Sequence, residues 1–272
     1  MNRVDRCFVD LRQKQETGLI VYLTAGDPHH RETADLVRAV SHAGADLVEL
    51  GIPFSDPAAD GPVIQRAMER ALSCGEMAPH TIEKALSIVA DIRRDCEVPI
   101  ALFGYANPML QFGYTRLCSD AERAGADGLL VVDVPPEESA DLDAAARASN
   151  LVRVPLLAPT TTVQRAAKIA ACASGFAYYV ALAGVTGAGT LRPSEVAEHL
   201  QTLRPALGNL PIAVGFGVKT AEQVRALAPH ADAVVVGSAL VEAIRTGKDP
   251  ADRCAHAAQF VRKLKDACLS HV

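Results

Sequence analysis

Tryptophan is absent from this 272-residue chain, and aromatic residues make up only 4% of it. Such scarcity argues against the stacking platforms with which proteins hold single-stranded nucleic acid. Clustered Lys and Arg are also missing, and the formal net charge is −5, which disfavours nucleic acid and anionic membrane as partners. The seven cysteines are odd in number and scattered, with no C-x-x-C pair, so neither a disulfide framework nor a zinc site is expected. They read as free thiols of a reducing compartment. Behind the basic N-terminal residues Arg3 and Arg6 there is no apolar segment of the kind a signal peptide needs, and a cytoplasmic protein is expected. The P-loop and dinucleotide glycine patterns are lacking too, which disfavours a nucleotide ligand. From Ile169 to Leu191 there is no charged residue, yet Gly175, Gly184, Gly187 and Gly189 interrupt the stretch. It reads as a strand followed by a glycine-rich loop rather than as a membrane span.

What is present is a repeated module. Helical periodicity over residues 34–40 ends at Ala43-Gly44-Ala45-Asp46, and an apolar run follows to Glu49. The same grammar recurs at Ala124-Gly125-Ala126-Asp127 before Leu129–Val132 and Asp133, and at Ala231-Asp232 before Val234–Val236, Gly237 and Ser238. Glycine after a helix suits the left-handed C-cap, and continuous β-branched runs suit strands buried on both faces. Eight strands are predicted, near 19–24, 46–50, 98–103, 128–132, 152–157, 176–180, 211–215 and 233–237. Helical stretches separate most of them. Eight such units predict an α/β protein, a single (β/α)8 TIM barrel with extra helices spanning residues 1–272 as one domain.

Active sites of such barrels form at the C-terminal strand ends, and there the unusual residues fall: Asp27, Glu49, Tyr105, Asn107, Asp133, Tyr178 and Ser238. Glu49 is the most telling, because it interrupts the apolar run Leu47–Leu50, where a charge is expensive to bury. Asp56 and Asp60 follow in a loop broken by Pro and Gly. A buried acid beside an acid-bearing loop is a common way to build a general acid/base pair. Glycine pairs at Gly215/Gly217 and at Gly237 with Ser238, after the seventh and eighth strands, suggest a phosphate site made of backbone N–H groups. The loops 51–61 and 181–191 have the composition of lids over the barrel mouth. The eight histidines fall mostly in predicted helices and show no metal-ligand pattern. A lysine at a strand end, as a class I aldolase requires, is not evident, although Lys219 sits in the phosphate-like loop.

Six motifs occur in one order: Leu23-Thr-Ala-Gly-Asp-Pro28, Glu49-Leu-Gly-Ile-Pro-Phe-Ser-Asp-Pro-Ala-Ala-Asp-Gly-Pro62, Tyr105-Ala-Asn-Pro108, Asp133-Val-Pro135, Gly184-Val-Thr-Gly-Ala188 and Gly215-Phe-Gly217. Together they resemble the tryptophan synthase alpha chain family over residues 18 to about 240. The resemblance implies a lyase that cleaves indole-3-glycerol phosphate to indole and glyceraldehyde 3-phosphate by a retro-aldol reaction, with no metal or cofactor in this chain. It implies Glu49 as general acid/base and Asp60 as the carboxylate that steadies the indole N–H. Tyr178 would position Glu49 or substrate, and Tyr22, Phe103, Leu130 and Leu157 would wall the indole slot. Gly187, Gly217, Gly237 and Ser238 would hold the phosphate, and Thr186 would close the lid over Asp60. Asp56, Pro57, Asn107 and Pro108 would face a pyridoxal-phosphate beta chain in an alpha2beta2 tetramer. Tyr22 stands where Phe is common in the family, and Leu182 where some members carry Arg. Other readings consistent with the residues are a free-standing lyase that releases indole, a different phosphate-binding barrel, and a catalytically dead activator subunit.

Overall fold

The computed structural model describes residues 1–75, 78, 80–181, 192–215 and 217–269. Nine parallel strands form one sheet: β1 (Gly18–Thr24), β2 (Leu47–Gly51), β3 (Ile100–Gly104), β4 (Gly128–Val131), β5 (Val152–Arg153), β6 (Leu156–Leu157), β7 (Ala177–Val180), β8 (Ile212–Gly215) and β9 (Ala233–Val236). Their order is β5-β4-β3-β2-β1-β9-β8-β7-β6. The two ends of that order are separated by only Val154 and Pro155. Val154 N–H donates to Leu129 O at 3.0 Å on one side, and Pro155 O accepts from Tyr178 N–H at 2.9 Å on the other. The fifth strand therefore joins both neighbours and curls the sheet into a barrel. Sequence reading predicts one strand over 152–157. The two-residue pieces arise because Pro155 has no N–H to add to a ladder.

Side-chain alternation sorts each strand between two cores. Ile20, Tyr22, Leu47, Ala101, Phe103, Leu130, Val152, Val154, Phe176, Tyr178, Ala213, Ala233 and Val235 fill the barrel interior. Their neighbours along the strands, such as Val21, Val48, Leu102, Leu129, Leu157, Tyr179 and Val214, pack outward against the helices. The bottom of the barrel is stoppered by the helix Arg3–Lys14, whose Val4, Phe8 and Leu11 join the inner core. Phe8 meets Phe176 with ring centroids 5.3 Å apart. Asn2 caps that helix by accepting from Val4 N–H, and its amide donates to Asp127 O and Asn150 O at 2.9 and 2.7 Å.

The repeated aspartates have a shared structural job. Asp46 Oδ2 accepts from Leu19 N–H at 2.7 Å, Asp127 Oδ2 from Ile100 N–H at 2.9 Å, and Asp232 Oδ2 from Ile212 N–H at 2.8 Å. Each aspartate's own N–H returns the bond to the carbonyl of that same residue, at 2.9, 2.8 and 2.9 Å. The module thus closes the N-terminal edge of the barrel, pairing N–H groups that burial would otherwise orphan. Lys265, Arg93 and Arg204 balance the three charges at 2.8, 2.6 and 2.6 Å. Stability is built at this end, which leaves the opposite end for chemistry. Among the described residues no helix is long and apolar enough to cross a membrane.

Candidate active site

Glu49 lies on β2 in register with Tyr22 on β1 and Ala101 on β3. All three face the barrel interior. Its carboxyl is 1% exposed, and Oε1 has no hydrogen-bond partner among the described residues. Desolvation of the charged form pushes its pKa up to about 8, so Glu49 is largely protonated at neutral pH. A side chain in that state can give up a proton and take it back.

Asp60 ends the turn after β2, with its N–H on Pro57 O at 3.0 Å. Gln65 Nε2 holds the Asp60 carbonyl at 2.8 Å. The side chain is 2% exposed. Tyr105, just beyond β3, donates its hydroxyl to Asp60 Oδ2 at 2.7 Å and accepts from Ala59 N–H at 3.1 Å. Oδ1 has no partner among the described residues. Burial raises the Asp60 pKa and the Tyr105 bond lowers it; burial wins, leaving it at about 6. Near pH 7 the site therefore holds one protonated and one mostly ionised acid.

Aromatic side chains lie on the strands flanking Glu49. Tyr22 and Phe103 meet edge to face at 5.2 Å, and Phe103 is in register with Leu130. Tyr22 and Tyr178 each lie across a glycine of the next strand: a Cβ on Gly51 or on Gly215 would collide with the tyrosine hydroxyl. Only glycine admits that approach. Leu157, expected as a wall, is a correction. The register Leu156↔Tyr178 and Leu157↔Tyr179 places Leu156 against the inner core and Leu157 in the outer one. The shift of one residue flips the face, so Leu156 and not Leu157 is directed inward.

Asp27, beyond β1, is buried and bound by both ends of its carboxylate to Arg70 Nε and Nη2, each at 2.8 Å. It ties the first loop to the helix Pro62–Ser73, which begins just after Asp60. Asp133 Oδ1 accepts from Ala106 N–H at 2.7 Å, so it anchors the start of the helix Ala106–Phe112. Asn107 and Pro108 sit on that helix. Asp56 and Asn107 are exposed, and Pro57 and Pro108 half-buried. Leu110, 60% exposed, lies beside them.

The two glycine loops differ. Thr220 and Gln223 form a capping box that occupies the start of the helix Ala221–Leu227. By contrast, Gly237 caps the helix Ser238–Arg245 without a side chain, leaving the first N–H groups there uncommitted to any side-chain cap. Gly217 holds a left-handed φ of 88°. Thr186 and Gly187, like Leu182, lie outside the described residues. No group of three or more His, Cys, Asp or Glu among the described residues could hold a metal ion.

Tyr105, Leu156 and Arg70 are the residues whose roles sequence reading missed. Tyr105 carried a signal, a polar aromatic at a strand end. Leu156 did not, because the Pro155 break hides the alternation.

The profile of the tryptophan synthase alpha chain family matches residues 8–269. The tryptophan synthase alpha chain of Chromobacterium violaceum is 50% identical over 245 residues, covering 90% of this chain and 91% of that one. That of Azoarcus sp. is 45% identical and covers 98% and 97%. The crystal structure of tryptophan synthase subunit alpha from Legionella pneumophila superposes with a TM-score of 0.89 at 37% identity, covering all of both chains. A tryptophan synthase structure from Mycobacterium tuberculosis gives 0.87 at 31% identity, covering 98% of each. With a TIM-barrel fold and relatives matched along nearly their whole length, this chain belongs to the tryptophan synthase alpha chain family, the lyases that cleave indole-3-glycerol phosphate.

Proposed function

We propose that Glu49 and Asp60 carry out the cleavage together, and that the buried, unpartnered oxygens Glu49 Oε1 and Asp60 Oδ1 are the observation that supports it most. Protonated Glu49 gives its proton to indole C3. Positive charge then develops at the ring nitrogen, where ionised Asp60 stabilises the N–H. The Glu49 carboxylate takes the proton of the glycerol hydroxyl next to the ring. The electrons of that O–H bond form the aldehyde carbonyl, and those of the breaking C–C bond restore the indole ring. One proton is gained at C3 and one lost from oxygen, so Glu49 ends as it began and no cofactor of this chain is called upon.

Tyr22, Phe103, Leu130 and Leu156 hold the ring flat against the acids, and Tyr178 closes the slot across Gly215. Gly237 and Ser238, at the uncapped helix start, bind the phosphate, with Gly217, Gly187 and Thr186 contributing from the neighbouring loops. Asp56, Pro57, Asn107 and Pro108 face the beta chain that carries pyridoxal phosphate, in an alpha2beta2 assembly in the cytoplasm. The loop from Asp56 to Asp60 is short, so a partner seated on it biases the Asp60 carboxylate directly. Indole release from indole-3-glycerol phosphate, measured with and without a beta chain, tests this reading. Stimulation by the beta chain is expected, with Asp56→Ala or Asn107→Ala reducing stimulation more than basal turnover. Full basal turnover with no beta-chain binding would favour a free-standing lyase.

A further inference from the structure

Asp27 is a buried carboxylate that takes no part in the proposed proton transfers. Its side chain is 6% exposed, against 35% for that of its partner Arg70. Both Asp27 oxygens accept from the guanidinium, one from Nε and one from Nη2, each at 2.8 Å. A charge placed that deep is costly unless it is paired, and two parallel bonds fix direction as well as distance.

The pair brackets the segment that carries Asp60. On one side, Ala25 N–H donates to Gly51 O at 2.9 Å, so the loop after β1 holds the chain where β2 ends. Asp27 N–H donates back to Thr24 O at 3.1 Å, which makes that loop a tight turn. On the other side, Arg70 belongs to the helix Pro62–Ser73, which begins just after Asp60. Gln65 of the same helix holds the Asp60 carbonyl at 2.8 Å. One short loop therefore grips both ends of the stretch 52–61. Within it the Asp60 carboxyl has the Tyr105 hydroxyl on Oδ2 and no partner on Oδ1 among the described residues. Where Oδ1 points thus depends on how the backbone of this stretch is held.

We propose that Asp27 and Arg70 are positioning residues for the cleavage: their two-point bond fixes the helix Pro62–Ser73 against the loop after β1 and so sets the place of the Asp60 carboxylate, without touching substrate. This rests on the role proposed for Asp60. A reacting group displaced by about 1 Å can lose about 10²-fold in rate, so a clamp remote from the chemistry has a large effect on it. Lysine in place of Arg70 would supply the charge but not the fork.

Single-turnover indole release by the whole chain, compared in the wild-type and Asp60→Asn backgrounds, tests the proposal. In the wild-type background Arg70→Ala should lower the rate by about ten- to a hundredfold, with half-saturation by indole-3-glycerol phosphate moved by less than about threefold. Arg70→Lys is the milder change should Arg70→Ala fail to fold, and its rate should fall between the two. Because the pair acts through Asp60, Arg70→Ala should cost less than about twofold once Asp60 is Asn, the non-additivity of groups that act as one. An equal loss in both backgrounds would mark a merely structural pair and overturn the proposal. So would a wild-type rate in folded Arg70→Ala or in Arg70→Lys. A wild-type rate in Asp60→Asn alone would instead overturn the role of Asp60, and this proposal with it.

Discussion

Removing the Tyr105 hydroxyl separates the two influences on the Asp60 carboxyl, burial and the hydrogen bond. Burial alone would push this acid above its resulting value of about 6, and the 2.7 Å bond from Tyr105 holds it down. A hydrogen bond to a charged group contributes roughly 1.5–3 kcal/mol, and one pKa unit corresponds to about 1.4 kcal/mol. Tyr105→Phe should therefore raise the Asp60 pKa by about one to two units. At pH 7 the ionised fraction would fall from roughly nine-tenths to between about a half and a tenth. The expected result is an acidic limb of the kcat/KM profile for indole-3-glycerol phosphate displaced to higher pH by that amount. Activity should recover at alkaline pH until Glu49 deprotonates. The neighbouring Phe54 ring, 5.3 Å from Tyr105, keeps the phenyl group packed, so a loss of fold is not expected. An acidic limb that stays where it was, whatever the fall in rate, would refute the claim that ionised Asp60 is required.

Three further outcomes follow from the same structure. Because the Glu49 pKa is raised from 4.5 to about 8 in the fold, its stabilising contribution is complete below about 4.5 and lost as pH rises through 8. Glu49→Gln should accordingly gain in melting temperature over the wild type as pH rises across that window, and a constant difference would contradict its burial as a protonated acid. Asp127→Ala removes the acceptor of Ile100 N–H and the partner of buried Arg93, and should cost about 3 kcal/mol or more in urea unfolding while kcat at permissive temperature is kept. Gly237→Asp sets a carboxylate at the uncapped helix start, and a folded mutant with unchanged affinity for a glycerol phosphate analogue would remove that helix from the phosphate site.

Much of this architecture is legible in the sequence. The eight-fold alternation, the glycine C-caps and the position of Glu49 inside an apolar run point to the barrel and its acid, because both depend on local pattern and burial. Seven of the eight predicted strands correspond to single strands in the structure. The fifth is divided by Pro155, and with it the assignment of Leu157 fails: parity cannot be carried across a residue that interrupts the ladder. The N-terminal helix was also not read, although Val4, Phe8 and Leu11 stand at helical spacing behind the cap Asn2. Its role as a stopper depends on Phe176, more than 160 residues away in the chain. Tyr105 was seen as unusual, but its bond to Asp60 joins two loops, and no periodicity records such a pairing. The aspartates of the repeated module were visible as a motif. Their reciprocal bonds to Leu19, Ile100 and Ile212 explain why the motif repeats.

The most direct test is single-turnover cleavage of indole-3-glycerol phosphate by Glu49→Gln, with affinity for a non-cleavable indole phosphate analogue measured on the same preparation. Glutamine keeps the shape of the side chain on β2 but has no proton to exchange. The expected result is a rate lower by about 10²–10⁴-fold, the usual contribution of a general acid/base, with analogue affinity unchanged within about threefold, far below the 1.4 kcal/mol of a tenfold effect. A mutant that cleaves the substrate at close to the wild-type rate would contradict the central assignment and remove Glu49 from the chemistry.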